Sequence, residues 1–553
     1  MQLGKQTNKI YNMNNAVFLF NNPQNEPILK FGKGSVEREL LEAELQRQMN
    51  QVIEIPLIIG GKEIKSGSIQ NVVMPHNHKH VLARCHQAGA LEVNAAIEAA
   101  MKAKYDWERI SWIERSSIML KAAELISTKY RYEILAATML GQSKNPHQAE
   151  IDATCETIDF LKYNTFFASN IYGEQPKSGY GQLNKMEYRP LEGFILTVSP
   201  FNFTAIASNL NMSVVLMGNT TVWKPAQTSV LSNYILMKIF KEAGMPDGVI
   251  NFVPGDGPTV GGAAIKHKDL AGVHFTGSNA TFNHLWKSVA DNLSVYKSYP
   301  KLVGETGGKD FIFAHHSANP RQLATAIIMG SFEYQGQKCS ASSRCYIPES
   351  IWGEVKEHLL EQANRIKMGD VSDFSNFMNA VIDEKSFDRI MRYIELAKKS
   401  SECEIVFGGE GDKSVGYFVQ PTIILTTNPH FVTMQEEIFG PVVTIYIYKD
   451  NDFESCLDLC DKTSPYALTG AIFATDKYAI IKASEKLYNA AGNFYVNDKP
   501  TGAMVGLQPF GGSRASGTND KAGGPLNLLR WVSPRTIKET FNPPTDFVYD
   551  FMK

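Results

Sequence analysis

The sequence predicts an α/β protein built on a parallel, doubly wound sheet, and three observations carry that expectation. From Gly193 onward, short apolar runs alternate with helix-period stretches, and each run ends in a glycine or a small polar turn. At 553 residues the chain is too long for a single core and should divide. Its 43% hydrophobic and 20% charged content is that of a soluble globular protein. A formal net charge of −2 gives no electrostatic reason to expect nucleic acid or an anionic membrane as partner. Seven cysteines without regular spacing argue against a disulfide framework and for a reducing compartment. No apolar run approaches the ~18 residues of a membrane span; the best candidate, Gly193 to Ala207, is cut by Ser199-Pro200 and Asn202.

The first 25 residues hold Lys5 and Lys9 and no acid before Glu26, as a transit peptide would, but they lack arginine and are rich in asparagine. An amphipathic helix is expected around Val36 to Met49, then a short strand from Ile53 to Ile59 ending at Gly60-Gly61. His76, His78 and His80 alternate, so one side of an extended segment would carry all three. Without an adjoining carboxylate or cysteine ligand they are expected to form a solvated loop, and no metal is expected. Leu91 to Leu140 reads as two helices broken around Trp107 to Trp112, with a third from Gln148 to Asn164. Asn170 to Tyr188 reads as a polar hairpin excursion.

The sheet should begin at Phe194 to Val198, a buried-strand run followed by the turn Ser199 to Thr204 and a helix to about Met217. Asn219 to Trp223 is the next strand, ending at Lys224-Pro225, and Val230 to Ala243 is a helix stopped by Gly244. Gly248 to Val253 runs into Gly255-Asp256-Gly257, and Val273 to Phe275 into Thr276-Gly277-Ser278. Ligands of such sheets lie beyond the carboxyl ends of the strands. That rule gathers Ser199, Pro200, Phe201, Lys224, Gly255, Gly257, Thr276, Gly277 and Ser278 around one crevice, although no Gly-x-Gly-x-x-Gly fingerprint is present. A second α/β series starts near Lys309, with a strand at Phe311 to Phe313 and a helix from Asn319 to Tyr334. A helix at Val381 to Lys398, a glycine-rich turn at Gly408 to Tyr417 and a strand at Asn493 to Asn497 follow. Cys456 and Cys460, spaced i, i+4, are expected to be packing residues.

The chemistry centres on Cys339. It lies between Gly336 and small polar residues, with Lys338 and Arg344 close in sequence, and nearby cations lower a thiol's pKa. Glu305 offers a carboxylate among glycines, where little bulk should cover it. A thiolate and a distant glutamate suit oxidation of an aldehyde. The thiolate adds to the carbonyl, hydride leaves to a nicotinamide, and water activated by the glutamate hydrolyses the thioester.

The run Glu-Tyr-Gln-Gly-Gln-Lys-Cys-Ser-Ala around Cys339 and Glu-Thr-Gly-Gly-Lys-Asp-Phe from Glu305 resemble active-site signatures of the aldehyde dehydrogenase superfamily. They look most like its Δ1-pyrroline-5-carboxylate dehydrogenase branch, and the resemblance runs from about Phe31 to the C-terminus. It implies an aldehyde dehydrogenase-like fold with a Rossmann-type NAD-binding domain (51–301), an α/β catalytic domain (302–490) and a small β oligomerisation flap. Residues 1–50 would be a leader and arm, 170–188 a subunit-contact hairpin, and 491–553 an anchor loop and a tail whose Trp531 to Ile537 pairs with a partner subunit.

By the same resemblance Cys339 is the nucleophile, Glu305 the deacylation base, and Asn202 an oxyanion donor beside the Cys339 N–H. One such donor is worth ~3 kcal/mol of barrier. Lys224 would reach the adenosine ribose, Glu437 would bind ribose hydroxyls, and Phe439 would pack at the nicotinamide side. Gln227 stands where many NAD-preferring relatives carry an acid, and Phe282 where many carry a second glycine. Thr501-Gly502-Ala503 matches a loop whose N–H groups hold the substrate α-carboxylate, helped by Ser340 and with Lys338 in the substrate site; Ala503 replaces a serine of some relatives. Phe203 and Phe510 would flank the methylenes and Glu156 face the ammonium. The expected activity is NAD-dependent oxidation of L-glutamate γ-semialdehyde in proline degradation, by a monofunctional homodimer of the mitochondrial matrix. A succinic semialdehyde dehydrogenase, a CoA-acylating relative and a non-enzymatic binding protein remain alternatives; retained Glu305 favours water as acceptor.

Overall fold

Two seven-stranded sheets organise the molecule, and the computed structural model describes residues 20–553. The transit-peptide reading falls almost wholly outside those residues. In the first sheet the order is Lys301–Glu305, Leu270–Thr276, Phe194–Val198, Thr220–Lys224, Ile250–Phe252, Leu57–Ile59 and Lys62–Ile64. Its first five strands run parallel, and the two N-terminal strands close the edge antiparallel. Burial on both faces explains the continuous apolar runs: Phe194, Ile195 and Leu196 are all solvent-free. Helices Thr204–Leu216 and Val230–Ala243 cover the sheet, the latter ending at Gly244 with φ 103°, a left-handed cap that glycine adopts without strain.

The second sheet has the order Cys403–Phe407, Thr422–Thr426, Val442–Tyr448, Ser342–Pro348, Asp310–Ala314, Thr469–Phe473 and Asn493–Val496. Only its first strand is antiparallel. Cys456 and Cys460 pack in the core of helix Phe453–Thr463.

Several local expectations need correcting. The run Ile53 to Ile59 is two strands in different sheets, because Pro56 has no N–H to continue a ladder. Leu91 to Leu140 holds three helices, Ala90–Trp107, Trp112–Ser127 and Arg131–Gln142; the break at Thr128 to Tyr130 carries no proline or glycine to announce it. The next helix does not stop at Asn164. A π-helical stretch, Glu150–Glu156, leads into an α-helix that continues to Gly173. The histidines do not form a solvated loop. His76 is buried, while His78 and His80 lie on strand Asn77–His86 with ring nitrogens 3.0 Å from the Lys413 and Met49 carbonyl oxygens.

The excursion is not a local hairpin either. Its strand Gln182–Pro190 pairs antiparallel with the C-terminal strand Val532–Thr540 of the same chain, from Val532 opposite Pro190 to Thr540 opposite Gln182. The tail therefore spends one edge on its own chain.

Candidate active site

Strand register fixes the site. Val198 pairs with both Phe275 and Lys224, and Thr276 pairs with Glu305, so four strands end in one row. Beyond that row Ser199 accepts a hydrogen bond from the Trp223 indole at 3.0 Å, and Phe201 meets Phe439 edge to face at 5.8 Å between ring centres. Two helices start here, Gly257–Ile265 capped by Asp256 and Asn279–Ala290 capped by Ser278, both presenting N–H groups to the crevice. A Cβ on Gly255 would lie 2.8 Å from Val260 and 3.0 Å from the Ala88 carbonyl, whereas Gly257 has nothing within 4 Å. Lys224 is half-buried, and desolvation pulls its ammonium below the usual lysine range, against the pull of Asp256.

Those features fit a dinucleotide: helix N-termini for a pyrophosphate, a lysine at a strand end, and an aromatic pair at the far side. Gln227 accepts from the Gln87 amide at 3.0 Å, while its own Nε2 is buried without a partner among the described residues. Phe282 stacks on Phe275 and fills the space over Gly304, where a Cβ would come within 2.2 Å of its ring. The departure from a second glycine is therefore a core substitution.

Cys339 is carried by a strained loop. After helix Pro320–Phe332, Tyr334, Gln335 and Gly336 all adopt positive φ, at 50°, 54° and 63°. Gln335 holds that turn: its amide donates to the Ser143 and Ala380 carbonyls and accepts from the Asn379 N–H. Gly336 is obligatory, since a Cβ would sit 2.3 Å from the Gly440 carbonyl oxygen. The Asn202 amide donates to the Gln337 carbonyl at 3.0 Å, which leaves its second N–H for a substrate oxygen. Asn202 itself is set by the helix that follows. The Asp152 carboxylate accepts from the Thr204 and Ala205 N–H groups and from the Lys144 ammonium, which lies between the Phe203 and Tyr334 rings.

The Cys339 thiol stands 3.3 Å from a Glu305 carboxylate oxygen. Burial raises the Glu305 carboxyl to about 7, partly offset by the thiol hydrogen bond and by Lys521. Burial, with the nearby Glu305 charge, also holds the thiol well above its ordinary range. That corrects the reading of Lys338 and Arg344 as thiol activators. Lys338 pairs with Glu333 at 3.0 Å, and the Arg344 guanidinium is taken by the Lys309 and Cys460 carbonyls and the Tyr346 hydroxyl. The glycines after Glu305 do not leave it uncovered. Gly307 makes room for the Glu437 carboxylate, which accepts from the Gly308 N–H at 2.9 Å and is itself raised to about 7 by burial.

A cavity of about 300 Å³ opens above the thiol, lined by Glu156, Phe203, Lys338, Ser340, Gly502, Ala503 and Phe510 together with Glu305 and Cys339. All the substrate-site candidates therefore meet in one space. Ser340 and Thr501 share a hydrogen bond at 2.8 Å, tying the nucleophile's loop to the anchor loop. Among the described residues neither the Gly502 nor the Ala503 N–H has a partner, and Gly502 has φ 91°, a left-handed conformation of the kind found in anion-binding backbone nests. Glu156 ends the π-helical stretch, and burial, then Asp152, raises its carboxyl well above the usual range. Lys144, Asp152, Gln335 and Lys521 were missed from the sequence. The two glutamines flanking Gly336 were the only visible signal, since the others are brought in by chain far from Cys339.

Fold and site together define an aldehyde-oxidising enzyme of the cysteine type, and the chain belongs to the aldehyde dehydrogenase family, whose profile matches residues 63–537. It is 54% identical to "Delta-1-pyrroline-5-carboxylate dehydrogenase, mitochondrial" of Dictyostelium discoideum, over 96% of each chain. The human protein of the same description is 48% identical, over 96% of this chain and 94% of its own. Among solved structures, the Delta-pyrroline-5-carboxylate dehydrogenase of Mycobacterium tuberculosis bound with NAD superimposes with a TM-score of 0.94. That relative is 49% identical and matches 98% of this chain and 100% of its own.

Proposed function

We propose that this chain oxidises L-glutamate γ-semialdehyde to L-glutamate with NAD, the second step of proline degradation. The observation that carries the reading is the anchor loop: Gly502 and Ala503, whose N–H groups have no partner among the described residues, line one cavity with Cys339, Glu305 and Glu156. An α-amino acid head needs an anion holder and a carboxylate for its ammonium, and a simple aldehyde needs neither. The relatives described as Delta-1-pyrroline-5-carboxylate dehydrogenase, at 48–54% identity across nearly the full chain, support the same substrate.

In this reading Glu305 takes the thiol proton and the Cys339 sulfur attacks the carbonyl carbon. The developing oxyanion is held by the second Asn202 N–H and the Cys339 N–H. NAD, when bound, supplies the hydride acceptor. Glu305 loses the thiol proton to solvent, then accepts one from the water that attacks the Cys339 thioester and passes it to the departing sulfur; the product acid ionises, so carboxylate, a proton and the free thiol are released. Ser199, Pro200, Phe201, Gly255, Gly257, Thr276, Gly277 and Ser278 would hold the dinucleotide, with Lys224 and Glu437 on its riboses and Phe439 at the nicotinamide. Residues 51–301 would form that binding unit and 302–490 the catalytic one. The relatives are described as mitochondrial, and the matrix is the compartment proposed here. A homodimer is proposed through the exposed two-stranded ribbon, whose end carries exposed Leu183, Tyr180 and Phe541.

Purified chain assayed for NADH formation should prefer glutamate γ-semialdehyde over succinic semialdehyde, which lacks the ammonium, by about a hundredfold in kcat/KM. Equal rates would remove the substrate assignment. The anchor loop gives a sharper test. A Cβ on Gly502 meets nothing closer than Lys499 Nζ at 3.6 Å, so space is not the constraint; the φ of 91° is. Gly502→Val is expected to turn the N–H groups away and raise KM for glutamate semialdehyde about tenfold or more, with propanal little changed. Equal losses on both aldehydes would make the loop merely structural.

A further inference from the structure

An extended segment from Asn25 to Phe31 runs along one side of the cavity and adds Glu26 and Ile28 to its lining. It is firmly held. The Glu26 carboxylate pairs with Arg131 at 3.0 Å and Lys162 at 2.9 Å and accepts from the Ser127 hydroxyl at 2.6 Å. The Leu29 N–H donates to Glu150 at 3.0 Å, at the start of the π-helical stretch that ends in Glu156.

Asn25 connects this strap to the anchor loop. Its amide donates to the Val505 carbonyl at 2.9 Å and to the Asp159 carboxylate at 2.8 Å, whose other oxygen takes the Glu26 N–H at 2.8 Å. Its own carbonyl oxygen accepts from the Tyr163 hydroxyl at 3.2 Å. The anchor loop is thus tied at its start by Ser340 to Thr501 and at its end by Asn25 to Val505. Between those ties lie Gly502 and the two N–H groups without a partner among the described residues, and just after them Gly506 with φ 83°. Two glycines in the left-handed region give that stretch little stiffness of its own.

We infer that Asn25 is a positioning residue for substrate discrimination: through Val505 it sets the height of the anchor loop above Cys339, and so the length of amino-acid aldehyde the site accepts. The inference rests on the proposed substrate. A loop freed at Val505 would still leave the thiol, Glu305 and Asn202 in place, since none of them bonds to the strap. Its effect should therefore fall on binding of the charged head alone.

The test compares full-length wild type, Asn25→Ala and the milder Asn25→Ser, with kcat and KM measured for glutamate semialdehyde and for propanal. Calorimetry of L-glutamate binding and melting temperatures complete the set. Asn25→Ala is expected to raise KM for glutamate semialdehyde and Kd for L-glutamate about tenfold, with kcat and both propanal constants within about twofold of wild type. Asn25→Ser, too short to reach both acceptors, should move the same two quantities less and in the same direction. Unchanged KM and Kd would overturn the inference. So would equal losses on both aldehydes accompanied by a fallen melting temperature, which is what a structural role alone predicts. Wild type reports separately on the substrate: no preference for glutamate semialdehyde over propanal would remove that reading, whereas a strong preference that survives Asn25→Ala overturns only the role of the strap.

Discussion

Replacing Cys339 with alanine is expected to lower NADH formation by about 10⁵-fold or more, the scale seen when an enzyme loses its nucleophile, while the Kd for NAD stays within about twofold. The two halves of that expectation come from different parts of the molecule. Chemistry needs the sulfur, because no other thiol lines the cavity at the reacting end: Cys345, Cys456 and Cys460 lie in the cores around the second sheet, and Cys155 is held near Glu150 and the strap. Cofactor binding, in the proposed reading, uses the row of strand ends at Val198, Lys224 and Thr276 and the two helix N-termini, whereas the Cys339 thiol is hydrogen-bonded to Glu305. Single-turnover fluorescence for NADH and a binding titration on the same preparation check both. More than about 1% of wild-type activity in the alanine variant would show that the covalent step runs elsewhere.

What the sequence made legible was local. The strands at Phe194, Thr220 and Leu270 and the helix Val230–Ala243 follow from apolar runs bounded by glycines and small polar turns, and periodicity reads such units directly. The candidate site residues gathered around the cavity were legible through short contiguous motifs at Cys339 and Glu305 and, by resemblance, at Asn202 and Gly502. What failed was everything set by long-range approach. Lys338 and Arg344 are close to Cys339 along the chain, yet Glu333 and a set of backbone carbonyls claim them in space. The glycines on either side of Glu305 looked like open ground and are instead contact points, Gly304 for Phe282 and Gly307 for Glu437. The pairing of Gln182–Pro190 with Val532–Thr540 joins distant segments whose sequences carry no turn signal for each other. Asn25 and Asp152 belong to the same class, since no local pattern says which carboxylate or carbonyl a distant amide will find.

Glu305→Gln should separate the two chemical steps, and the 3.3 Å contact with the Cys339 thiol makes the outcome sharper than water activation alone would. Glutamine keeps the shape but cannot take a proton. The thioester should still form, giving one NADH per site, and then persist because no base activates water; the steady rate should fall about 10³-fold. The burst itself should also slow, because the thiol is held above its ordinary range and has lost the acceptor beside it. The pH dependence follows from sign. Burial raises Glu305 to about 7, so below that pH the carboxyl is protonated and cannot act as base. Wild-type deacylation should rise with pH through about 7 and level off above it, and in Glu305→Gln that rise should vanish. A burst at the wild-type rate followed by a stall would confine Glu305 to hydrolysis and make its thiol contact idle. An unchanged steady rate would remove it from the chemistry altogether, leaving Lys521 and Asp520, which line the same cavity, as the charged groups to examine next.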